Sequence, residues 1–270
     1  MKRIVFVPCL LILVLSLSVV HADPVPDIHK PMKYLGKRIE TVGDVSRISE
    51  KFFKDHYKEY NKEKRCYLTQ SQYGVTYCMP INTVFVDNHK DGKQYVYMMS
   101  MGKIHDRKDM AHHYGSLLDM YVIQYIQGGK YRLVAKKVKV EGPGSFGQGD
   151  SSDYTKFGPD TLGWTVTGGF SNQGYGCNNA VFFALVNGQL KKIGSIATQC
   201  DDVGARNTFN LKGGIKMAEN RLSNGMYPID VTVTGKKDGT DIPAATYRLN
   251  YSPAEGQYIV PKNYPITADY

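Results

Sequence analysis

The sequence predicts a mainly β protein, a β-rich α+β fold: an antiparallel sandwich, barrel or meander with one amphipathic N-terminal helix packed on it. Three observations predict this. Strand-like segments recur every 10 to 15 residues, with Gly, Asn, Asp and Pro between them. One stretch, about residues 44–63, stands out with helical periodicity. Four cysteines, finally, bracket two segments that read as hairpins.

The first segment is an export signal. Lys2 and Arg3 give a positive start, Ile4 to Val20 form an apolar run, and Val20-His21-Ala22 ends it in the manner of a signal-peptidase site. The run is at or below the length of about 20 apolar residues that a spanning helix needs, and no basic stop-transfer cluster follows. Residues 1–22 are therefore expected to be a cleaved signal peptide, which takes Cys9 with it. Cleavage shortens the 270 residues by 22 to 248 and removes two positive charges, so the formal +9 becomes +7. No second long apolar segment follows, so no stable membrane span is expected after cleavage. A moderate positive charge spread over such a chain mainly favours solubility and identifies no nucleic-acid partner.

Residues 23–43, with Pro24, Pro26 and Pro31, read as an extended lead-in, and 44–270 as a single β-rich domain. Asp44 suits a helix N-cap; Val45, Ile48, Phe52, Phe53, Tyr57 and Tyr60 recur at helical spacing with charged residues between them. Strand pairs follow: Thr83–Asp87 with Gln94–Lys103 about an Asp91-Gly92 turn, and Leu117–Gln127 with Tyr131–Val140 about Gly128-Gly129. Trp164–Gly168, Ala180–Val186, Leu190–Ile196, Tyr227–Gly235, Ala245–Tyr251 and Gln257–Val260 complete the strand signals. Asn187-Gly188 between two apolar runs is a strong hairpin signal, since both residues tolerate the positive φ of a type I′ turn.

In an exported chain four cysteines imply disulfides. Spacing favours Cys66–Cys78 and Cys177–Cys200, each pair closing a hairpin. Closing such loops stabilises by roughly 3 kcal/mol each on chain-entropy grounds. The spacings of a zinc site or a redox pair are missing.

Two stretches break the strand rhythm. Residues 141–162 (EGPGSFGQGDSSDYTKFGPDTL) and 168–179 are rich in Gly, Ser, Asn and Asp and read as long loops, which are commonly functional. Their aromatics, with the single tryptophan that follows the first loop, form the candidate binding set: Phe146, Tyr154, Phe157, Trp164, Phe170 and Tyr175.

Catalytic signatures are weak. Pro143-Gly144-Ser145-Phe146-Gly147 lacks the first glycine and the strand-to-helix context of a nucleophile elbow. His105, His112 and His113 lie with Asp106 and Asp109, but at spacings unlike those of a metal site; no metal and no cofactor is expected. Asp150 and Asp153 lack the alternating oxygens of a calcium loop, and no glycine motif cradles a phosphate.

The resulting expectation is a periplasmic or secreted, non-catalytic protein-binding module of the bacterial envelope. Its partner would be another envelope or secreted protein, with an inhibitor or immunity-type role against an envelope-acting enzyme as one form. Two alternatives stand beside it: a glycan or peptide hydrolase with dispersed acid and base residues, and a structural surface or appendage component. In general manner the chain, with pieces such as GKYRLVAKKVKV, is similar to small periplasmic proteins of Gram-negative bacteria; the similarity transfers no residue role.

Overall fold

The computed structural model describes residues 42–266 apart from 90–91, 127–129, 173 and 203–207. The expected signal peptide, all of the lead-in but its last two residues, and the Gly128-Gly129 turn lie outside the described residues. The architecture is a β-rich antiparallel sandwich with a single α-helix among the described residues.

The helix α1 spans Val42–His56. Ile48, Phe52 and Phe53 form its buried stripe, while Lys51 and Asp55 pair on its outer face at 3.0 Å. It ends earlier than the periodicity predicts. Tyr57 leaves the helix to donate its hydroxyl to Asp119, and Glu59–Asn61 becomes strand β1, with the Tyr60 ring tilted against Tyr67 at 4.9 Å. Tertiary pairing overrides local period here.

The first sheet adds β2 (Cys66–Gln70), β3 (Thr76–Met79), β4 (Thr83–Asn88), β5 (Gln94–Ile104), β6 (Leu117–Ile126) and β7 (Lys130–Glu141). Its order is β1-β2-β3-β5-β6-β7, with β4 on the first half of β5 and β3 on its last residues. The second sheet is a meander of β8 (Ser151–Gly158), β9 (Thr161–Asn172), β10 (Tyr175–Val186), β11 (Gln189–Asp202), β12 (Phe209–Met217), β13 (Ile229–Lys237), β14 (Thr240–Ser252) and β15 (Gln257–Ile259), paired in sequence order. This sheet curls strongly. Phe157 of β8 and Tyr258 of β15, on the two outermost strands, have ring centroids 6.2 Å apart, yet no ladder joins those strands and the barrel stays open.

Among the described residues the buried apolar side chains form three large clusters and a small one (Tyr77, Met79, Ile104 and Leu117), and strand alternation distributes residues among them. Val96 and Met98 of β5, with Tyr121 and Ile123 of β6, pack under α1. Tyr97, Met99, Leu118, Met120 and Val122 face the other way, against Trp164, Val166 and Phe183 of the second sheet. Inside the curl, Ala180, Phe182 and Ala184 join Ile229, Val231 and Leu249. The unbroken apolar run of β10 thus serves two cores at once, as a strand buried on both faces must.

Both disulfides form as the spacing predicts. Cys177 and Cys200 face each other directly across β10 and β11; Cys66 and Cys78 link β2 to β3. Two intramolecular disulfides point to an oxidising, extracytoplasmic environment. No helix among the described residues is long and apolar enough to cross a membrane.

The expected long loops are largely strand. Ser151–Gly158 is β8, and 168–172 and 175–179 form the ends of β9 and β10. An edge strand needs few apolar residues, which is why SSDYTKFG carried little signal.

Candidate functional site

What remains of the first loop, residues 142–150, is a tightly docked turn. Ser145 and Gln148 form an isolated bridge, and the two residues between them, Phe146 and Gly147, have φ of 51° and 71°. This is the type I′ signature. Gly147 is required there twice over, for its φ and because a Cβ would fall 2.1 Å from Ile104 Cγ1. Its N–H donates to Tyr114 O and its carbonyl accepts from Ile104 N–H, so the turn is sewn to β5 and to the 105–116 loop. Phe146 has no such excuse. A bulky residue in the left-handed region costs about 1–2 kcal/mol, and 41% of this one is solvent-exposed.

The Phe146 ring meets His112 edge-on at 5.0 Å, and His112 Nε2 lies 2.9 Å from Ser171 O on the β9–β10 hairpin. Met110 is also exposed. Phe170 and Tyr175, half-buried with centroids 6.1 Å apart, sit on the same hairpin, and the Tyr175 hydroxyl lies 3.1 Å from Cys177 Sγ. Beside the turn runs a polar groove of about 610 Å³ lined by Lys103, Gln148, Asp150, Phe170 and Asn178. Of the six sequence-predicted aromatics, then, Phe146 and Phe170 converge on one end of the sandwich, with Tyr175 adjoining Phe170.

The other three do not join them. Phe157 is fully buried in the second sheet's own core, and Trp164 is fully buried between the sheets. Both are core residues rather than rim residues, because their strands turn those positions inward. Tyr154 is exposed, but it lies at the β4–β8 seam, 4.2 Å from Phe85, which in turn stacks on Tyr97 at 4.6 Å. The hydroxyl of Thr83 donates to Ser152 O at 2.7 Å and closes that seam.

The three histidines do not share a site. His105 contacts Asp106 at 3.2 Å and Asn61, His112 belongs to the Phe146 end, and the His113 ring lies against Tyr114. Among the described residues no three His, Cys, Asp or Glu side chains gather as metal ligands.

Sequence reasoning missed one constellation. Asp119, only 3% exposed, accepts the Tyr57 hydroxyl on Oδ2 and the Lys139 backbone N–H on Oδ1 at 2.6 Å. Burial raises its pKa, and the two donors only partly offset that. Burial first, then the Asp119 charge, pushes the Tyr57 hydroxyl far above the usual phenol range. A lone carboxylate inside the apolar strand LLDMYVIQYI is the signal that could have found it. Both of its oxygens are occupied and it is sealed from solvent, so its chemistry is that of a strut: it holds the β6–β7 bulge, where Lys139 has φ 54°.

The fold and this end together define a disulfide-stapled β-sandwich presenting a fixed aromatic turn. No protein-family model matches the chain, and neither a curated protein nor a solved structure matches it.

Proposed function

We propose that the protein is an exported, non-catalytic binding module that recognises another envelope or secreted protein through the end built around Phe146. An inhibitor or immunity-type role against an envelope-acting enzyme is the form of this activity that fits best. The observation that supports it is Phe146 itself: a strained backbone keeps a large aromatic ring exposed, with one edge against His112. Rigid aromatic anchors beside polar neighbours are the usual centres of protein recognition. The groove beside the turn, with Lys103, Gln148, Asp150 and Asn178, supplies the polar surround.

A surface-component role would draw on an open sheet edge. β14 offers one, since β15 pairs only with Asn250–Ser252, but the strand carries Pro243 and a bulge opposite Val233–Gly235. Both features blunt strand addition.

The test uses Phe146→Gly, which removes the ring and relieves the left-handed backbone. With a photo-crosslinking residue at Gln148 in the producing cell, the parent chain should give a discrete protein adduct. The Phe146→Gly chain should lose it while melting at the same temperature or higher. An adduct that persists unchanged in the variant, or no adduct in the parent, would sink the proposal.

A further inference from the structure

The sandwich has two seams, and they differ. The strand orders lay β4 over β8 on one side and β7 over β11 on the other. The β4–β8 seam is closed by Thr83, Ser152 and the Tyr154–Phe85 contact. On the β7–β11 side the second sheet curls away, and a groove of about 810 Å³ opens between the sheets and the segment that carries Val260, Tyr264 and Ile266. Tyr264 is fixed there by donating its hydroxyl to Ala197 O at 2.7 Å. A groove of this size lies in the range of small-molecule sites.

Its chemistry is two-sided. Val140, Val181 and Val260 give an apolar strip, and the strip reaches Phe183, which is also part of the inter-sheet core. Two lysines stand on the lining from opposite sheets, Lys137 of β7 and Lys192 of β11, against one carboxylate, Glu141. Neither lysine is in an ion pair among the described residues. Lysines on an edge strand such as β7 also disfavour pairing with a second copy of that edge. What satisfies an apolar strip under a pair of ammonium groups is a slender tail with one anionic head.

We infer that the β7–β11 groove binds a free monoacyl carboxylate, its tail along Val140, Val181 and Val260 and its head between Lys137 and Lys192. The site is separate from the Phe146 turn and does not depend on the role proposed for it. Only the tail leaves water completely; the head keeps lysine and solvent contacts, as a partly open groove allows.

The chain's one tryptophan provides the readout, because Trp164 pairs with Phe183 in the β9–β10 ladder. The purified protein is titrated with octanoate, decanoate and dodecanoate below micelle formation, following Trp164 fluorescence and calorimetry. One-to-one saturation should tighten about fourfold per added methylene. The double variant Lys137→Gln/Lys192→Gln should weaken dodecanoate at least tenfold without changing the melting temperature, Lys192 being exposed and Lys137 only partly buried. Dodecyltrimethylammonium, with the same tail and the opposite head, should not saturate the site. The inference falls if the cationic amphiphile binds equally, if tail length has no effect, or if the double variant binds as the parent does. It falls equally if association is seen only with phosphatidylglycerol vesicles, which assigns the lysines to a bilayer surface. Displacement of dodecanoate by hexaglutamate, with no dependence on tail length, gives the groove to an acidic polypeptide and overturns it as well.

Discussion

Asp119 Oδ1 accepts the backbone N–H of Lys139 across the β6–β7 pair, and this one bond fixes a bulge at a residue that disfavours its own conformation. The strut and the bend stand or fall together. Asp119→Ala leaves the Lys139 N–H and the Tyr57 hydroxyl without their acceptor, and should cost roughly 3 kcal/mol in urea unfolding. Lys139→Gly keeps the bulge and removes the left-handed penalty, and should be neutral or up to about 1 kcal/mol more stable. If both variants lose stability alike, the bulge is not held in this way.

The same carboxylate sets a pH dependence of definite sign. Its native pKa is raised, so the folded chain holds that proton more tightly than the unfolded chain does. Its stabilising contribution is therefore complete below the ordinary aspartate value of 3.8 and is lost as pH rises through the raised native value. Asp119→Asn cannot ionise. Measured as denaturation midpoints, its stability relative to the parent should improve steadily as pH climbs from 3.8; a constant difference would count against the raised pKa.

Gly144 and Gly147 hold the Phe146 turn in place. A Cβ at Gly144 (φ 122°) would lie 1.8 Å from Gln148 O, a backbone atom with nowhere to go. Gly144→Ala should cost at least 1–3 kcal/mol or undock the loop. Hydrogen exchange at the Gly147 and Ile104 amides would report the undocking as faster exchange at both.

The two disulfides lie in different sheets, closing sequence separations of 12 and 23 residues. Replacing either cysteine pair by alanine should cost about 3 kcal/mol, and the two losses should add. Thermal melts of the two double variants and the quadruple variant check this directly.

Tyr154 and Trp164 are partners in one ladder, yet their substitution should read out differently. Trp164→Ala empties the inter-sheet core and should cost about 3–5 kcal/mol. Tyr154→Ala removes a ring that is 47% exposed and should cost under about 1.5 kcal/mol by circular dichroism melts. Any loss of recognition in Trp164→Ala reflects unfolding.

Those two residues also show where sequence reading reaches its limit. Which aromatic faces water depends on which strand is the edge, and that is a property of the assembled sheet rather than of the segment. Local chemistry was more legible. The cysteine spacing predicted both bridges, and Asn187-Gly188 takes φ of 52° and 74° as a type I′ turn should. Asp238-Gly239, with φ of 51° and 77°, carries the same signature and turns β13 into the polar first half of β14. β12 carries a weak strand signal because Gly213-Gly214 interrupts it; Gly213 makes room for Tyr264 and Val231. At the candidate site the loop aromatics Phe146 and Phe170 were visible as chemistry. That His112 links the Phe146 ring to Ser171, the neighbour of Phe170, was not, since it depends on a contact between residues 59 positions apart.

The division of β10 between two cores has a consequence for the order in which the protein is made. The first sheet is complete by Glu141, but Tyr97, Met99, Leu118, Met120 and Val122 have nothing to cover them until β9 and β10 have emerged. During synthesis, the leading half would therefore present a greasy, methionine-lined face to whatever it meets. Such a half-made chain is a natural client for holding chaperones. A nonsense truncation shortly after residue 141 should yield aggregates rather than a small soluble domain.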